Sequence, residues 1–172
     1  CKYGWDKPND NTLRLTLLHT PKTTYRYTYQ SQQDFGHHTF TYSIVGHDNE
    51  PQLAAVPAKA DELNNPLMAF ETPRHKGTLG REYSFVRLST SQVALKALKK
   101  AEESDSYILR FYETQGKEAK DVTVEFPAEI ISASETNGVE DVIGKANIQG
   151  NKLIFSTTAF SPKTFAVKLK GS

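Results

Sequence analysis

The last ninety or so residues leave few architectures open. Apolar side chains there recur at every second position, in short runs broken by turn residues. Tyr83, Phe85 and Arg87 oppose Val86 and Leu88. Tyr107 to Tyr112 reads as a strand, and Val122, Val124 and Phe126 form another alternating set. Ile130-Ile131, Val142-Ile143, Leu153 to Ser156 and Phe165 to Leu169 follow. Asn137-Gly138 and Gly150-Asn151 mark tight turns, because both pairs accept the backbone angles that two-residue connections require. About seven short strands at this spacing predict an immunoglobulin-like β-sandwich over residues 82–172.

One segment pulls two ways. Val93-Ala94-Leu95-Lys96-Ala97-Leu98-Lys99-Lys100-Ala101-Glu102-Glu103 consists of strong helix formers, and Ser91 is able to cap it. The alternation is equally legible, with Val93, Leu95 and Ala97 on one face and Lys96 on the other. A lone helix would interrupt the run of strands, so a strand is expected.

Upstream the pattern is looser. Leu13, Leu15 and Leu17 alternate with Thr12, Arg14 and Thr16, a half-buried strand after the turn residues Pro8-Asn9-Asp10-Asn11. Tyr25, Tyr27 and Tyr29 share one side of an edge strand or long loop. In Asp34-Phe35-Gly36-His37-His38-Thr39-Phe40-Thr41-Tyr42, strand geometry puts Asp34, Gly36, His38, Phe40 and Tyr42 together. Two readings fit that face: the polar rim of a sugar site, or a strand end meeting solvent. A short helix is expected over about residues 58–63, with Pro57 dividing the segment and Asn64-Asn65-Pro66 ending it. Leu67 to Phe70 has room for one more strand. The basic, glycine-punctuated stretch 73–81 is the best domain boundary.

The chemistry is sparse. Lys plus Arg number 21 against 20 Asp plus Glu, which gives no electrostatic case for nucleic acid or an anionic membrane. Cys1 is the single cysteine, so an internal disulfide and a cysteine zinc site are excluded. His37 and His38 point opposite ways in a strand, and His19, His47 and His75 lie in separate segments. No serine elbow or phosphate loop occurs. Glu102-Glu103-Ser104-Asp105 reads as a solvated loop rather than an acid/base pair. Trp5 and the three alternating tyrosines are available to stack on sugars, or equally to fill a core or an edge. A start at Cys-Lys-Tyr-Gly reads as cut from something longer. No Asn-x-Ser/Thr acceptor occurs, so nothing marks a glycosylated secretory protein; the compartment is left unknown, with cytoplasmic or periplasmic ahead of glycosylated secretory.

Three separated stretches resemble the C-terminal half of glycoside hydrolase family 38 α-mannosidases. The first is Cys1-Lys2-Tyr3-Gly4 with Leu13-Arg14-Leu15-Thr16-Leu17-Leu18. Asp34-x-Gly36-x-His38-x-Phe40-x-Tyr42 with His47 is the second, joined by Leu63-Asn64-Asn65-Pro66-Leu67. The third runs from Lys99-Lys100-Ala101-Glu102 through Leu109-Arg110-Phe111-Tyr112-Glu113 and Gly116, with Phe160 and Lys163-Thr164-Phe165 after it. The resemblance implies a mainly β chain: residues 1–72 the C-terminal part of a β super-sandwich with one short helix, 73–81 a linker, and 82–172 the terminal sandwich. It implies a parent enzyme that hydrolyses α-mannosides with retention, through an aspartate nucleophile and zinc in an N-terminal α/β domain. No catalytic residue, metal or cofactor is then expected in this chain, which alone is expected to be inactive. Its partners would be that catalytic domain and, through it, an α-mannoside or oligosaccharide, with no nucleic acid or membrane. Lys2, Tyr3, Asp34 and His38 are the residues expected at the edge of the sugar cleft. Exposed strand edges make a homo-oligomer a further expectation. The rival reading is a free-standing carbohydrate-binding or adhesive β module.

Overall fold

Between Arg87 and Leu169 the sequence alternation becomes two facing antiparallel sheets. The computed structural model describes residues 4–20, 26, 35–48 and 50–171. Backbone contacts divide the chain into two units, Cys1–Gly46 and His47–Ser172.

In the first unit, β1 (Trp5–Asn9) and β2 (Thr12–Leu15) form a hairpin. Its turn is Asp10-Asn11, with the Asn11 amide donating to Asn9 Oδ1 at 3.0 Å; Pro8 and Asn9, expected in the turn, belong to the strand. Asp6 faces Arg14 across the hairpin, and the guanidinium grips both carboxylate oxygens at 2.7 and 2.6 Å. That charged hydrogen bond holds the Asp6 carboxyl at about 2. The strand expected over residues 12–19 stops at Leu15, and Leu13 and Leu15 are exposed rather than half-buried. Residues 37–45, expected as a strand, have no ladder partner among the described residues and form none. Without a neighbour to take up its N–H and C=O groups, an alternating sequence stays irregular.

The second unit opens with α1 (Glu50–Asn64), longer than the expected helix because it runs through Pro57. An interior proline removes the amide donated to the carbonyl four residues back and crowds that carbonyl, and the helix continues despite both costs. Its end follows expectation: Asn64 and Asn65 side chains donate to the Ala60 and Asp61 carbonyls at 2.8 and 3.2 Å. Leu67 to Phe70, expected as a strand, is irregular, with Leu67, Met68 and Phe70 exposed. Pro66 and Pro73 bracket it, and no adjacent strand offers hydrogen bonds among the described residues.

Nine further strands follow among the described residues: β3 (Arg87–Leu88), β4 (Val93–Lys100), β5 (Tyr107–Glu113), β6 (Ala119–Glu125), β7 (Ile130–Thr136), β8 (Val142–Lys145), β9 (Asn147–Gln149), β10 (Lys152–Thr157) and β11 (Pro162–Leu169). The four-stranded sheet has the order β3-β6-β10-β9, and the five-stranded sheet β4-β5-β11-β7-β8. Phe111 and Phe165 from the larger sheet meet Phe155 of the smaller at 5.1 and 5.0 Å between ring centres. Leu109, Val122, Val124, Leu153 and Val167 complete the centre, all essentially buried. Each such side chain contributes roughly 1.5–3 kcal/mol on burial.

The ambiguous segment is a strand, β4, paired along β5. Its faces differ from expectation. Leu95 pairs with Phe111 but Ala97 with Arg110, so Lys96 is an extra, unpaired residue. This bulge sends Ala97 and Lys99 outward, where an unbroken alternation would turn Ala97 inward.

Candidate functional site

Of the residues expected at a sugar-cleft edge, Lys2, Tyr3 and Asp34 lie outside the described residues. His38 is exposed, its ring stacked on Phe40 with centres 6.0 Å apart. On the opposite side Thr39 Oγ1 lies 3.5 Å from His37 Nε2. The predicted two-residue alternation is therefore present without the strand.

A trough of about 770 Å³ crosses the outer face of the five-stranded sheet. Strand register explains its floor. Lys99, Ile108, Ala166 and Ser134 follow one another across β4, β5, β11 and β7, with Ser132 two residues along. The next row is Ala97, Arg110, Thr164 and Thr136. The 101–106 loop and the 137–141 turn form its walls, and Lys99 clamps both: its ammonium lies 2.5 Å from Glu140 and 3.5 Å from Glu102. The hydrogen bond to Glu140 raises the Lys99 pKa. Arg110 is committed too, donating to Thr164 Oγ1 at 3.2 Å and to the Gly138 carbonyl at 3.0 Å. At the end of this row the Thr136 hydroxyl is buried with no hydrogen-bond partner among the described residues.

At the end of β5, Glu113 is fully buried. Its carboxylate accepts the backbone amides of Gln115 and Gly116 at 2.8 Å each and of Phe160 at 2.9 Å. Gln92 Nε2 adds a fourth bond at 3.1 Å. Burial works to raise the pKa, but the Phe160 and Gln115 amides, then Gln92 and Gly116, outweigh it and hold the carboxyl below its ordinary value. A carboxylate so fixed has no proton to give near neutrality and its oxygens are occupied, so it is a structural acceptor and not an acid/base catalyst. The sequence carried one signal for it. In Tyr107, Leu109, Phe111, Glu113 an acid occupies the inward phase of a core strand, where only dense hydrogen bonding makes a charge tolerable.

Among the described residues, no three His, Cys, Asp or Glu side chains converge to hold a metal ion. They offer no fit for the zinc that the resemblance implies for the parent.

Residues 92–171 match the family described as the glycosyl hydrolases family 38 C-terminal beta sandwich domain. The chain is 32% identical over 148 residues to alpha-mannosidase G of Dictyostelium discoideum, covering 83% of this chain and 13% of that protein. It is 28% identical over 174 residues to alpha-mannosidase 2C1 of Mus musculus, covering 99% and 16% respectively. With alpha-mannosidase 2C1 of Homo sapiens it shares 34% identity over 119 residues, covering 67% and 11%. The chain thus spans less than a fifth of the length of these relatives.

Proposed function

The chain belongs to the C-terminal region of the glycosyl hydrolase family 38 α-mannosidases, and we propose that it is a non-catalytic β part of an enzyme that hydrolyses terminal α-mannosides. The observation that carries this is the joint extent of the matches: the family match covers β4 to β11 of the sandwich, and the mouse relative aligns along 99% of the chain. Residues 1–72 act as the tail of a β super-sandwich and residues 82–172 as its terminal sandwich, joined by 73–81. Together they brace the catalytic domain. Lys2, Tyr3, Asp34 and His38 stand at the edge of its sugar cleft. Retaining hydrolysis, the aspartate nucleophile and the zinc belong to the rest of the parent, so no catalytic step is assigned to these residues. Bracing has catalytic weight because small displacements of reacting groups cost rate steeply.

Two assays test the reading together. The isolated chain is expected to leave an aryl α-mannoside intact, whereas the parent protein cleaves it and loses activity when residues 92–171 are removed. Cleavage by the isolated chain, or a parent without α-mannosidase activity, would overturn it.

A further inference from the structure

We propose that the trough on the outer face of the five-stranded sheet holds a neutral, mannose-containing oligosaccharide. Its size falls within the range of about 300–1,000 Å³ usual for small-molecule sites, at about 770 Å³. The walls are built rather than incidental, since Lys99 ties one to the other through Glu102 and Glu140. Charge argues against an anionic ligand. The lining sets Glu102, Glu103, Glu140 and Asp141 against two cations, of which Lys99 is ion-paired with Glu140 and Arg110 donates to the Thr164 hydroxyl and the Gly138 carbonyl.

What remains on offer suits a polyol. The Ser132 and Ser134 hydroxyls share a face one strand repeat apart, roughly 6.5–7 Å, and make no hydrogen bond among the described residues. Each can donate and accept. Asp141 at the rim gives one oxygen to Asn137 at 3.1 Å and keeps the other as an acceptor for a sugar hydroxyl. Between the serines and Lys99, the half-buried Ala166, lying beside the buried Ile108, supplies a small apolar patch for the C–H face of a ring. Hydroxyls beside small apolar groups match the alternating edges and faces of a pyranose. The choice of mannose rests on the α-mannosidase reading; the trough chemistry asks only for a neutral sugar. The site would hold a branched substrate beside the chemistry rather than perform any.

The test titrates the full 172-residue chain with an α-linked mannotriose, and separately with spermidine, following backbone amides by NMR. Saturable shifts centred on Ser132, Ser134 and Arg110 are expected with mannotriose alone. Ala166→Arg, which fills the floor, should weaken binding by about tenfold or more. Ser132→Arg, at an exposed position, gives the same readout if Ala166→Arg does not fold. No saturable shifts, shifts centred elsewhere, preference for spermidine, or unchanged binding by the folded variant would each overturn the proposal. Hydrolysis by the parent is measured separately, so a silent titration beside intact hydrolysis removes the trough and leaves the functional reading in place.

Discussion

Phe160 gives its backbone amide to the buried Glu113 carboxylate at 2.9 Å, and its ring lies where a side chain on Gly116 would have to go. One carboxylate and one ring thus lock the turn after β5 to the turn before β11. Phe160 holds a left-handed φ of 51° to do so, a conformation that a bulky residue keeps only when its surroundings enforce it.

Glu113→Gln should destabilise the sandwich by about 3 kcal/mol, because an amide presents donors to amides that need an acceptor. The carboxyl sits below its ordinary value of 4.5 when folded. Its contribution is therefore whole above that value and fades as the pH falls through the depressed folded one. Thermal melts from neutral pH downward should show this acid-dependent loss in the native chain and a flatter slope in Glu113→Gln. Parallel slopes would contradict the assignment.

Gly116→Ala meets two obstacles. A Cβ would stand 2.6 Å from the Phe160 ring, and the φ of 72° disfavours any side chain. A loss of about 1–3 kcal/mol is expected. Adding Phe160→Ala should return the steric share and leave the conformational one, so a denaturant midpoint between those of the native chain and Gly116→Ala is the outcome sought, with Phe160→Ala alone as the reference.

Thr136→Val should raise stability by up to about 1 kcal/mol. The hydroxyl is buried with no partner among the described residues, and valine keeps its shape without a polar group to desolvate. A lower melting temperature would show that this oxygen has a role the geometry does not reveal.

The Lys96 ammonium reaches Asp61 on α1 at 2.6 Å, across a pair that is about two-fifths exposed. Asp61→Asn should cost about 0.2–1 kcal/mol. Hydrogen exchange is the sharper readout: amides of residues 58–64 should exchange faster while β5 and β11 are unchanged.

The sandwich was legible because its signal is local. Val122, Val124, Leu153 and Phe165 sit in alternating runs, and all reach the core. β4 was recoverable despite its helix-forming residues, since pairing along β5 outweighs propensity. The bulge was hidden: which residue is left out of a ladder depends on the partner strand. The same dependence explains residues 37–45, whose alternation survives in the His38–Phe40 stack while the strand itself is missing. At Glu113 the odd acid in an inward position was visible, but the amides it collects come from residues up to 47 positions away. The trough has no motif at all, being assembled from one or two outward residues on each of several strands and from two loops.

The unpaired place in β4 makes Lys96 the residue the ladder can spare. Excising it would shorten the chain without exchanging the surroundings of any neighbour, at the cost of the tether to the helix. Excising Leu95 or Ala97 instead leaves Lys96 to fill the vacant rung. Which single-codon losses the protein survives is thus decided by hydrogen-bond register more than by the chemical character of the residue lost.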